Sequence, residues 1–224
     1  TIFKNVSQLS PGTYAIVKNG QMREYRYWEL PSEEGKIIKF EEATEQLNYL
    51  LEDSIKLRMK VDVPIGTFLS GGVDSGLITA IASKEINERL RAFSIGFKEK
   101  SYSEIAEARE TARRNGVDLT DFEIGTLTPE LLDEIFLSFD EPLGNASFVP
   151  TYLLAKKARE NVKVVLTGDG ADELFGGYPT YQAPYYHKIF SLTPTIFKKI
   201  IKSCINRIPV SHSRISLDYK LKQL

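Results

Sequence analysis

Ile65-Gly66-Thr67-Phe68-Leu69 is a short apolar run that breaks into Ser70-Gly71-Gly72-Val73-Asp74-Ser75, after which apolar residues recur at helical spacing. A strand over 65–69 followed by a helix over 75–87 puts two glycines and two serines at a strand-to-helix junction. Glycines let backbone come close to an anion, the hydroxyls can donate, and the free N–H groups of a new helix carry the positive end of its dipole. The stretch reads as a phosphate cradle, with a plain Gly-Gly turn as the bland alternative.

What the cradle lacks narrows its use. No Gly-Lys-Ser/Thr follows the glycines, so no lysine is placed to hold β- and γ-phosphates, and γ-phosphoryl transfer is disfavoured. No G-x-G-x-x-G fingerprint of a dinucleotide site occurs either. Asp74 sits inside the loop, where a carboxylate repels phosphate unless a hard cation lies between them, which points to Mg²⁺.

Outward from the loop, strand and helix patterns alternate. Strands are expected over 91–97, 118–124 and 162–166, and helices over 103–115, with Gly116 as its stop, 129–138 and 150–160. This order predicts an α/β fold with a parallel sheet between helices. Upstream, 12–17 and 24–28 read as a hairpin around Asn19-Gly20, 30–35 as a linker, and 40–59 as an amphipathic helix carrying Phe40, Ala43, Leu47, Leu50, Leu51, Ile55 and Met59. The division expected is 1–32 for the hairpin and linker and 33–224 for the main domain.

A second constellation follows the last strand: Leu166-Thr167-Gly168-Asp169-Gly170-Ala171-Asp172-Glu173-Leu174-Phe175-Gly176-Gly177-Tyr178. Three carboxylates, Asp169, Asp172 and Glu173, fall beside glycines where a helix opens, a costly cluster unless positive charge offsets it. An acidic surface turn is the bland reading.

Composition removes other classes. The 224 residues hold 29 Lys and Arg against 30 Asp and Glu, a formal net charge of -1, so no nucleic-acid partner is indicated. Cys204 alone excludes an internal disulfide and favours a reducing compartment, with cytoplasm expected, and it has no visible acid or base partner. His187 and His212 are too few for a Cys/His metal site or a His-based triad, so a metal should bind through oxygen. No run reaches the roughly 20 apolar residues of a membrane span.

On these residues the chain resembles two nested groups. Ser70 to Ser75 resembles the pyrophosphate loop of the ATP-pyrophosphatase family, whose fold is the adenine nucleotide alpha hydrolase type. Leu166 to Tyr178 resembles the corresponding segment of glutamine-dependent asparagine synthetases, and Phe93 to Phe97, Tyr102 to Ala108 and Asp140 to Ser147 follow in that family's order. The likeness covers 40–222, while Thr1 to Lys4, Pro11-Gly12 and Tyr27-Trp28 look like the tail of the family's glutaminase domain, so a chain cut at both ends is expected.

The resemblance implies attack of the aspartate side-chain carboxylate on the α-phosphorus of MgATP, giving β-aspartyl-AMP and pyrophosphate, after which ammonia displaces AMP. ATP and Mg²⁺ are then the cofactors, aspartate and ammonia the substrates, and a homodimer is left open. It implies Leu69, Ser70, Gly71, Gly72, Val73, Asp74, Ser75, Ile95, Gly96, Thr167, Gly168 and Tyr178 at the nucleotide. Asp74, Asp172 and Glu173 would serve the metal, and Asp74, Asp169 and Asp172 the catalysis. Asp140 to Ser147, with Asp169, would read the substrate.

The sequence departs from the family at Gly76, where serine is common, and at Asp169, where glutamate is common. Glutamine hydrolysis needs an amino-terminal cysteine that this chain does not carry, and the family's phosphate-contacting lysine lies beyond the position of Leu224. Three readings remain: an asparagine synthetase; a relative such as a β-lactam synthetase or sugar-modifying amidotransferase using another carboxylate; and a catalytically silent nucleotide-binding module.

Overall fold

The computed structural model describes residues 1–31, 35, 38–99, 101, 103–142, 144–145, 147–182 and 184, the side chains of Pro179 and Gln182 excepted. Residues 185–224, His187, Cys204 and His212 among them, lie outside the described residues. The chain divides into two compact units, one of Thr1–Tyr49 with Thr128–Ala146, the other of Leu50–Leu127 with Ser147–Leu224.

In the first unit, β1 (Thr13–Lys18) and β2 (Gln21–Arg26) pair antiparallel from Thr13 opposite Arg26 to Lys18 opposite Gln21. Asn19 and Gly20 both have positive φ, 51° and 74°, as a two-residue turn matched to strand twist requires. Tyr14 and Tyr25 stack across the pair at 5.3 Å. The Ile2 amide donates to Glu141 Oε2 at 3.1 Å, and Gln8 Nε2 donates to its Oε1 at 3.4 Å. The helix α1 (Phe40–Arg58) begins in this unit, with Phe40 80% exposed, so the apolar stripe read from the sequence is not buried along its whole length. Helix α4 (Pro129–Leu137) also belongs here, its Thr128 hydroxyl accepting from the Leu131 amide at 3.3 Å with Pro129 at the first helical position.

The second unit holds a four-stranded parallel sheet. Its strands are β3 (Ile65–Phe68), β4 (Arg91–Gly96), β5 (Asp118–Glu123) and β6 (Val164–Leu166), in the order β5-β4-β3-β6. The connecting helices are α2 (Val73–Ala82), α3 (Ile105–Asn115) and α5 (Phe148–Ala158), and α6 (Ala171–Phe175) follows β6. Successive strand side chains point to opposite faces, and the core clusters show which helix covers which face. Ala92 of β4 packs with Leu69 and with Ala108 and Ala112 of α3, whereas the next residue, Phe93, packs with Ala158 of α5 and Val162. In β6, Val165 joins the α5 cluster and Leu166 joins Ile81 and Ala82 of α2, together with Leu51, Ile55 and Met59 from the end of α1. The sheet is therefore covered on one face by α1, α2 and α3 and on the other by α5, which bears out the expected α/β class.

Two differences from the sequence reading are physical. Helix α2 starts at Val73, two residues early, because Gly72 takes the capping position with extended φ −76° and ψ 156°. It ends at Ala82 rather than Asn87, since the chain turns to lay Ile86 and Leu90 on the Ile81 cluster. The expected stop at Gly116 holds, with a left-handed φ of 64° and its amide bonded back to Arg113.

Candidate nucleotide site at the carboxyl ends of β3 and β6

From β3 the chain crosses by α2 to β4 on one side, while β6 lies on the other side of β3 and arrives through α5 on the opposite face. Such a reversal of strand order leaves a crevice beyond the carboxyl ends, where ligands of open α/β sheets bind. Both glycine-rich acidic loops open from these two strands.

The first loop is tied down by its serines. Ser75 Oγ accepts from the Ser70 amide at 3.1 Å, pairs with Ser70 Oγ at 2.8 Å, and lies 3.3 Å from the Gly72 carbonyl. Ser70 Oγ in turn accepts from the Gly72 amide at 3.1 Å. The Gly71 amide donates to Glu104 Oε2 at 3.2 Å. The amides of Ser70, Gly71 and Gly72 are thus all engaged within the protein. Those of Val73, Asp74 and Ser75, the first turn of α2, have no acceptor among the described residues, and they are the donors such a loop can turn toward an anion.

The second loop reaches the same turn. A β-carbon on Gly168 would stand 2.9 Å from the Ser75 nitrogen and 3.1 Å from Asp74 Cβ. Only glycine lets the two backbones come this close, so Gly168 seats the second loop directly on the first turn of α2. The residues present fit a pyrophosphate group through the unengaged N–H donors of Val73, Asp74 and Ser75, with a glycine where the second loop comes nearest to them.

Among the carboxylates, Asp74 and Asp169 are exposed and Asp172 is half-buried. Glu173 accepts from the Tyr178 hydroxyl at 2.7 Å, which pushes that phenol up to about 12, with burial and the charge of Asp172 adding. Tyr178 also meets Tyr181 edge-on at 5.7 Å. Among the described residues no three Asp, Glu, His or Cys side chains are gathered as a cage for a metal ion. Mg²⁺ in nucleotide sites is held by one or two carboxylates with phosphate oxygens and water, so Asp74 and Asp172 remain suitable ligands without such a cage.

Several expected residues take other roles. The Leu69 side chain is 1% exposed inside the Ala92, Ala108 and Ala112 cluster, and its amide donates to the Phe93 carbonyl at 2.9 Å, so its side chain cannot flank a nucleoside. Gly96 is buried, has no room for a β-carbon against Ile105 and Ser103, and gives its carbonyl to Ile124. Ile95 and Thr167 are half-buried, Thr167 Oγ1 accepting from the Asp169 amide at 3.4 Å, and Val73 is 82% exposed. Glu104 was not among the residues expected at the site. Its signal was a glutamate immediately before α3, where Ser, Thr, Asp or Asn would cap better.

The family model of asparagine synthase matches residues 46–221. Asparagine synthetase [glutamine-hydrolyzing] 1 of Bacillus subtilis is 35% identical over 90% of this chain and 32% of its own length. A putative asparagine synthetase [glutamine-hydrolyzing] 2 of Methanocaldococcus jannaschii is 34% identical over 94% of this chain and 40% of its own. A protein described as amidase chry2 from Gibberella zeae is 31% identical over 82% of this chain and 30% of its own. The chain spans about a third of the length of these relatives.

Proposed function

The chain belongs to the asparagine synthase family, and from that premise we propose that it is the ATP-using part of an amide-forming ligase that adenylylates the side chain of aspartate. A carboxylate oxygen of aspartate attacks the α-phosphorus of ATP, the bond to the bridging oxygen breaks, and pyrophosphate leaves. Ammonia then attacks the acyl carbon and AMP departs. The observation that carries this reading is the run of unengaged amides from Val73 to Ser75 at the start of α2, with Gly168 of the second loop packed against that turn.

Those amides and the Ser70 and Ser75 hydroxyls would take up charge gathering on the leaving pyrophosphate, where stabilisation counts most. Mg²⁺ would neutralise phosphate charge when bound. Asp74 and Asp172 suit it, whereas Glu173 is already engaged by Tyr178. Asp169, exposed in the second loop, would remove a proton from the attacking nitrogen. Ile95, Gly96, Thr167 and Gly168 would border adenosine, with Leu69 limited to backbone contact.

The test supplies ATP, Mg²⁺, aspartate and ammonium and follows pyrophosphate and AMP in the parent chain and in Asp74→Ala. Aspartate-dependent pyrophosphate that is lost in the variant supports the proposal. ATP binding with no aspartate-dependent exchange of pyrophosphate into ATP refutes it and leaves a nucleotide-binding module. A second reading is adenylylation of another carboxylate; pyrophosphate release driven by a different acid and not by aspartate selects it.

A further inference from the structure

Glu104 precedes the first turn of α3, with φ −109° and ψ 15°, yet its carboxylate makes no capping bond to its own helix. It accepts instead from the Gly71 amide at 3.2 Å. The backbone there is pressed against α3 as well: a β-carbon on Gly71 would stand 2.8 Å from Glu107 Cβ and 3.0 Å from Glu104 Cβ. The same helix start crowds the end of β4, where a β-carbon on Gly96 would stand 2.7 Å from Ser103 Oγ and closer still to Ile105. Ser103 to Ile105 therefore wedge between the end of β4 and the loop after β3.

Resting on the nucleotide reading above, we propose that Glu104 is a positioning residue of the phosphate loop. By holding the Gly71 amide toward α3, its carboxylate turns the loop so that the amides of Val73, Asp74 and Ser75, and not that of Gly71, face the ligand. It touches neither phosphate nor substrate. Its contribution is to fix in advance a backbone geometry that an untethered Gly-Gly pair would not hold. The function requires an acceptor oxygen at this position and not its charge, which distinguishes it from an electrostatic role beside a polyanion.

The experiment compares Glu104→Ala and Glu104→Gln in the full chain, the glutamine keeping an acceptor while removing the charge. Binding of Mg²⁺-pyrophosphate and MgATP is measured by calorimetry, and the Gly71 amide is followed by ¹⁵N spectra and hydrogen exchange. In Glu104→Ala the Gly71 amide resonance moves and its protection falls, and both ligands bind about tenfold more weakly, as expected for loss of one hydrogen bond that holds the loop. Glu104→Gln stays within about twofold for both ligands and keeps the Gly71 protection. An unchanged Gly71 amide in Glu104→Ala overturns the proposal, as does Glu104→Gln behaving like the alanine variant. If the parent chain binds neither ligand, the nucleotide reading fails and takes the binding consequence with it, while the Gly71 amide still decides whether the tether exists.

Discussion

Gly168 and Ser75, from loops far apart in sequence, approach so closely that a β-carbon on Gly168 would stand 2.9 Å from the Ser75 backbone nitrogen. Gly168→Ala therefore has to displace either its own loop or the first turn of α2, which carries the unengaged amides. It is expected to weaken MgATP binding at least about tenfold and to cost about 1–3 kcal/mol of stability, as overpacking does. Calorimetric titration and urea denaturation check the two effects. Unchanged affinity would show that this close approach does not shape the ligand site.

Ser75→Ala removes the oxygen that accepts from the Ser70 amide and pairs with the Ser70 hydroxyl. The loop loses its internal tie and the Ser70 amide loses its acceptor, with a cost of about 1–3 kcal/mol. Denaturant midpoints measure that loss. Nucleotide affinity should fall with it, because the same oxygen holds the first turn of α2 against Ser70.

Thr67 and Thr79 are both fully buried, and their hydroxyls bond at 3.0 Å between β3 and α2. Among the described residues no buried side-chain polar atom lacks a partner. Thr67→Val or Thr79→Val alone strands the other hydroxyl and should cost about 1–3 kcal/mol, while the double valine variant should cost less than the sum. A double-mutant cycle in urea measures the coupling; strict additivity would mean that the hydroxyls do not interact.

The Tyr178 phenol, which donates to Glu173, is pushed from 10.0 up to about 12. A group whose folded value is raised stabilises the fold fully below its unfolded value and loses that contribution as pH rises through the folded one, here between pH 10.0 and about 12. Ultraviolet titration of the parent chain against Tyr178→Phe should isolate one phenol ionising near the top of that window. In Glu173→Gln it should ionise at lower pH.

Much of this was legible in the sequence. The boundaries of β4 and β5, the stop at Gly116 and the turn at Asn19-Gly20 follow local chemistry and agree within a residue or so. The loops at 70–75 and 166–178 declared themselves because glycine and carboxylate cluster at strand ends. Tertiary relations did not declare themselves. The family resemblance set Leu69 at the nucleotide, but the small residues Ala92, Ala108 and Ala112 leave a hollow that its side chain fills. Glu104 showed itself locally only as a poor cap before α3, which does not tell that its carboxylate meets an amide from another strand's loop. The strand order that sets β6 beside β3 is likewise a property of the whole sheet.

That order has a kinetic consequence. Ile65 pairs with Val164, so the cradle formed by β3 and α2 leaves the ribosome well before the strand that completes it. Pairings of such long sequence separation form late, after loop closure has been overcome. The pocket should therefore be among the last features to mature during folding. A nucleotide that binds only the matured pocket would draw the folding equilibrium toward completion by mass action, so its concentration in the cell would help determine how much nascent chain reaches the finished state.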